Sequence, residues 1–161
     1  MKTIVNRLVL LPVLLAALAL SACGGSDSST GPGGQRNAPD SIVVLADSSL
    51  KSAFTQLGQQ FESQNSGSTV TFTYGASADL AKQATAGDAG DVLATADQQS
   101  MVSAQSAQLG SPQVFATKGS NQCQIVTLTQ AKNTALSTQW INLVLSSSGQ
   151  QVLRQAGFSA P

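Results

Sequence analysis

Ser41-Ile-Val-Val-Leu-Ala-Asp-Ser-Ser-Leu-Lys-Ser-Ala-Phe54 changes its hydrophobic period half-way along. Up to Ala46 the residues form an apolar run of strand length. Ala46-Asp47-Ser48-Ser49 interrupts it, and Leu50, Ala53, Phe54, Leu57 and Phe61 then recur at helical spacing. A strand turning into a helix is predicted, with Asp and Ser at the turn to cap the helix. The first-turn N–H groups of such a helix have no intrahelical acceptor and carry the positive end of its dipole, so the corner suits an anion.

Downstream the same grammar repeats. Asn65-Ser66-Gly67 ends the first helix, and Ser68 to Gly75 alternates Val70, Phe72 and Tyr74 against Thr69, Thr71 and Thr73 as a half-buried strand does. A short helix from Ser77 to Gly87, with Leu80, Ala81 and Ala84 on one face, gives a second strand-to-helix corner. Asp91 to Asp97 is a third strand, and Met101, Val102, Ala104 and Leu109 predict a helix ending at Gly110. Gln113–Thr117 and Gln124–Leu128 follow as strands around a Gly-Ser-Asn turn. Asn133 is placed to cap a helix bearing Leu136, Trp140, Leu143 and Val144, and Ser148 to cap a last helix ended by Gly157. Strands alternating with helices imply a parallel sheet with helices on both faces, with ligands beyond the carboxyl ends of the strands, where both serine corners fall. Trp140 and the other aromatics lie on apolar stripes and are expected in the core.

Ahead of this α/β body, residues 1–22 have the pattern of a secretion signal: Lys2 and Arg7, an apolar run from Leu8 to Leu20, then Ser21-Ala22 before Cys23. The run is short for a membrane-spanning helix. Leu20-Ser21-Ala22-Cys23 resembles the bacterial lipobox, which implies lipid attachment at Cys23 and a location on the outer face of the cytoplasmic membrane. Residues 23–40 are rich in Gly, Ser, Pro and Thr without apolar periodicity and are expected to be a disordered tether. With Cys23 lipidated, Cys123 has no cysteine partner within the chain and is expected as a small buried hydrophobe.

The inventory of side chains argues against catalysis. The sequence contains no His, its formal net charge is zero, and Asp88, Asp91 and Asp97 do not form a metal-binding motif. Neither Ser49 nor Ser77 stands near a recognisable activating base, so the expectation is a protein that is not an enzyme and uses no cofactor. Zero net charge also argues against nucleic acid as a partner.

Four ordered segments resemble the periplasmic molybdate-binding proteins of ABC importers. These are Ile42 to Leu50, Tyr74-Gly75-Ala76-Ser77 with Leu80 to Gln83, Gly87 to Asp97, and Ser146 to Phe158. The resemblance implies an α/β, type II periplasmic-binding fold, whose two lobes clamp a tetrahedral oxyanion. It puts the family's first-lobe ligand serines at Ser49 and Ser77, with Ser48, Asp47 and Ala76 as secondary candidates. Each serine would offer a hydroxyl and its own N–H, neutral donors that suit a dianion such as molybdate or tungstate, or phosphate or sulfate as alternatives. The expected partners are the oxyanion, the membrane permease of an importer and, through the lipid, the membrane; a monomer is expected.

Two departures stand out against that family. Phe115-Ala116-Thr117-Lys118 resembles the end of the first-lobe segment, and Gln124 to Leu128 resembles the strand that returns from the second lobe. Most of the second lobe is therefore absent, so residues 41–161 are expected as one near-complete lobe made of segments 41–118 and 124–161. Weakened capture is the expected consequence, and a lobe that folds without binding is the alternative. The other departure is Asp47, where the family usually has a small apolar residue: the carboxylate should repel a dianion, cap the helix, or accept a proton from a protonated oxyanion.

Overall fold

The structure, a computed structural model, describes residues 41–161. The expected signal segment, the tether and Cys23 lie outside the described residues. No described helix is long and apolar enough to cross a membrane.

Five strands form one sheet: β1 (Ser41–Asp47), β2 (Thr69–Gly75), β3 (Val92–Thr95), β4 (Gln108–Lys118) and β5 (Asn121–Leu128), in the order β2-β1-β3-β5-β4. Strand β1 pairs in parallel with β2 on one side and β3 on the other. The chain leaves β1 for its neighbour on one side and then crosses to the opposite side, so a topological switch point lies at the carboxyl end of β1. Strand β5 runs antiparallel to both β3 and β4. The sheet is therefore mixed, because β4 and β5 form a hairpin where the sequence pattern predicts parallel strands. A two-residue turn, Gly119-Ser120, joins the pair Lys118 and Asn121. The chain thus passes from segment 41–118 to segment 124–161 through one tight turn.

Period-2 alternation divides the core into two layers. Ile42, Val44, Ala46, Val92, Ala94 and Ile125 face one side, where α1 (Lys51–Gln64), α4 (Thr134–Leu145) and α5 (Ser147–Gln155) cover them. Leu45, Leu93, Val126 and Leu128 face the other, against α2 (Ser77–Ala86) and α3 (Gln98–Ser103). Phe115 and Ala116 both enter the first layer although they are adjacent, and a register shift between Val114 and Ala116 accompanies this. Trp140 is central to that layer, as its apolar stripe predicts. Its ring meets Phe54, Phe61 and Phe72 at centroid separations of 5.5, 5.7 and 5.5 Å. Gly58, a weak helix former within α1, has a packing reason: a Cβ there would stand 2.9 Å from the Phe72 ring.

Two local expectations need correction. Helix α3 ends at Ser103 and does not extend to Gly110; a 3-10 turn at Gln105–Ala107 follows, and Leu109 and Gly110 belong to β4. Leu109 is half exposed on this edge strand, so its hydrophobicity marks no helical stripe. The last helix is capped by Ser146 rather than Ser148, the Ser146 Oγ accepting from Gly149 N–H at 3.1 Å. Asn133 does cap α4, its Oδ1 accepting from Leu136 N–H at 2.9 Å. The C-terminal residues return to the sheet, where Thr117 and Ser159 exchange backbone hydrogen bonds of 2.9 Å in each direction.

Candidate functional site

The parallel register sets Asp47 opposite Gly75, so the turns after β1 and β2 lie side by side at the carboxyl edge. After β1 the chain makes a 3-10 turn, Ser48–Leu50, that runs directly into α1, with Asp47 in the N-cap position. After β2, Ala76 is the extended N-cap residue of α2 and Ser77 its first residue. Two helix N-termini thus converge on one place, and their dipoles favour negative charge there.

The side chain that fills that place is Asp47. Its Oδ1 accepts from Ser49 N–H at 2.9 Å and Ser49 Oγ–H at 2.7 Å. Its Oδ2 accepts from Ser77 N–H at 3.1 Å and Ser77 Oγ–H at 2.6 Å. Each corner therefore gives one amide and one hydroxyl to one carboxylate oxygen. Partial burial of Asp47 by itself raises the carboxyl pKa, but the four hydrogen bonds outweigh it and hold the group below its ordinary value.

Ser77 is buried and Ser49 exposed. Ser77 Oγ also accepts from Ala96 N–H at 3.0 Å, just beyond β3. An amide can only donate, so this bond leaves the hydroxyl proton free to point at the anion. The carboxyl ends of β1, β2 and β3 are all tied to the site in this way. Ala96 was not visible in the sequence, because a backbone donor has no side-chain signature. The secondary candidates divide: Asp47 is central, Ser48 Oγ–H turns back to donate to Gly75 C=O at 3.2 Å, and Ala76 contributes its extended cap backbone. The expectation that both corners present unpaired amides is corrected, since the Ser49 and Ser77 N–H groups are bonded to Asp47. Of the roles weighed for Asp47, capping is present in the Ser49 contact, and the bridge to Ser77 is additional.

Other polar groups serve the fold. Asp91 is buried, its Oδ2 accepting from Val43 N–H at 2.7 Å and its Oδ1 from Lys132 N–H at 2.5 Å, which ties β1 to the chain after β5. Asp97 caps α3 through Ser100 N–H at 2.7 Å. Among the described residues no cluster of His, Cys, Asp or Glu could hold a metal ion. Cys123 is a free, fully buried thiol, and burial is the main cause that pushes its pKa up to about 11.

Residues 42–121 match the family of bacterial extracellular solute-binding proteins. That match takes in just under half of the 161 residues. The chain is 45% identical over 100 residues to proteins named molybdate-binding protein ModA from Mycobacterium tuberculosis and Mycobacterium bovis. That alignment takes in 61% of this chain, and the chain spans 38% of the length of those relatives. Solved structures agree on the fold. The substrate-binding domain of a putative molybdenum ABC transporter from Clostridium difficile superposes with a TM-score of 0.68 at 12% identity, covering 75% of this chain and 99% of its own. The periplasmic molybdate-binding protein of Azotobacter vinelandii gives 0.66 at 13% identity, covering 74% and 99%. The chain therefore has the α/β fold of those periplasmic-binding structures, with its serine corners at the carboxyl edge of the sheet.

Proposed function

We propose that this chain acts as an extracellular solute-binding protein, capturing a tetrahedral oxyanion, molybdate or tungstate, outside the cytoplasmic membrane and handing it to the permease of an ABC importer. Lipid attachment at Cys23 would keep it at the membrane surface. One observation carries the reading. The N–H and O–H groups of Ser49 and Ser77 converge on a single anionic group, and that group is a side chain of the protein itself. Two adjacent oxygens of a tetrahedral dianion present the same pair of acceptors, and neutral donors at two helix N-termini need no counter-charge to hold them.

Affinity should be low. Charge-assisted hydrogen bonds contribute roughly 1.5–3 kcal/mol each, and four donors on an open edge give a far smaller set than a closed clamp. A dissociation constant in the millimolar range, on the order of −4 kcal/mol, is expected. Calorimetric titration of the purified protein with molybdate, tungstate, sulfate and phosphate tests this. Saturable heat with molybdate or tungstate supports the reading. No heat with any of the four, in the native chain and in an Asp47→Ala variant, would contradict it. A second reading, a lobe that folds and docks without capturing solute, is favoured by the same Asp47 contacts, since they leave neither serine a free donor.

A further inference from the structure

We propose that Asp47 is a built-in occupant of the oxyanion seat: its carboxylate takes the donors of both serine corners, latches β1 to α2, and must be displaced before any free oxyanion can enter. The inference rests on the reading of Ser49 and Ser77 as an oxyanion site and adds a determinant of whether that site is open.

Three observations support it. First, the match between group and seat is complete on both sides: two carboxylate oxygens meet two N–H and two O–H donors, with hydroxyl contacts of 2.6 and 2.7 Å that are typical of charge-assisted bonds. Second, Asp47 is more than a local cap. A cap needs only the Ser49 contact two residues away, whereas the second oxygen reaches Ser77, thirty positions along the chain and on another helix. Third, Ala96 N–H fixes the Ser77 hydroxyl as a donor into the seat. The corner is thus arranged to bind an acceptor whether or not Asp47 supplies it.

Displacement is demanding for a dianion. A visiting oxyanion must take all four donors from Asp47 and then lie within a few ångströms of the carboxylate it has evicted, which repels it. Replacing Asp47 by a small neutral residue removes both obstacles and leaves a hole shaped for one carboxylate.

Molybdate titration and thermal melts of the native protein and the Asp47→Ala variant test this, with sodium formate as a carboxylate probe and sodium chloride at matched ionic strength as control. The variant should bind molybdate about tenfold tighter or more, and formate should raise its melting temperature above the chloride control while leaving the native protein unmoved. Native binding that the substitution leaves equal or weakens would overturn the proposal and leave the oxyanion function standing. Formate rescue without molybdate binding in either protein would uphold the occupied seat and overturn the oxyanion function. Absence of both effects would overturn the proposal. An Asp47→Ser variant, which keeps a capping hydroxyl, goes through the same measurements, so the test does not depend on the alanine variant folding.

Discussion

Asp47 Oδ2 and Ser77 Oγ stand 2.6 Å apart and join the end of the first strand to the start of the second helix. Ser77 is buried and holds a further bond from Ala96 N–H, whereas Ser49 makes its bonds at the surface. Removing the Ser77 hydroxyl strips one donor from a carboxylate and leaves an amide without its acceptor. Ser77→Ala should therefore cost about 1–3 kcal/mol in urea unfolding, and Ser49→Ala under about 1 kcal/mol. Equal costs would show that Ala96 and burial add nothing at Ser77.

The same contacts give stability a dependence on pH. Hydrogen bonds hold the folded carboxyl of Asp47 below its ordinary value of 3.8. The unfolded chain then binds the proton more readily, so the contribution of Asp47 is fully present above the unfolded pKa and is lost as pH falls through the lower folded one. The gap in urea midpoint between the native protein and Asp47→Asn should be constant from pH 7 to about pH 5 and shrink below about pH 4. A gap that does not change with acid would sink this assignment.

Cys123 is sealed inside the sheet layer, with its thiol pushed up to about 11. A thiol reagent at pH 8 should find almost no thiolate and no path to it, so labelling should be slow in native buffer and fast in denaturant. Native labelling at the rate of a free thiol would place Cys123 in an accessible setting.

Gly149 lies in the first turn of α5, against the end of α4, where a Cβ would come within 2.1 Å of Leu143 C=O and 2.6 Å of Val144 C=O. Backbone cannot yield as a side-chain tip can, so Gly149→Ala should cost about 3 kcal/mol or more, near the upper range for overpacking. A loss under about 1 kcal/mol by urea denaturation would show that this contact can relax.

Much of this was legible in the residues. The switch from an alternating to a helical period at Ala46-Asp47 locates the first corner, and Tyr74-Gly75-Ala76-Ser77 the second, because each is a local pattern of apolar spacing. The hairpin of β4 and β5 was less visible, since strand direction depends on the turn at Gly119-Ser120 and not on apolar spacing. Leu109 misled for a similar reason: an apolar residue on an exposed edge strand imitates the end of a helical stripe. At the candidate site, the two serine corners were legible as local patterns, but the carboxylate that takes their donors was not. The bridge from Asp47 to Ser77 spans thirty residues, and it exists only because the parallel register sets Asp47 beside Gly75.

The most direct measurement is an anomalous-diffraction map of Asp47→Ala crystals grown with tungstate, beside crystals of the native protein. A tungsten peak between Ser49 Oγ and Ser77 Oγ in the variant, with the Asp47 carboxylate in that place in the native protein, is the predicted result. A native carboxylate turned to solvent, or tungsten bound away from both serines, would contradict the account.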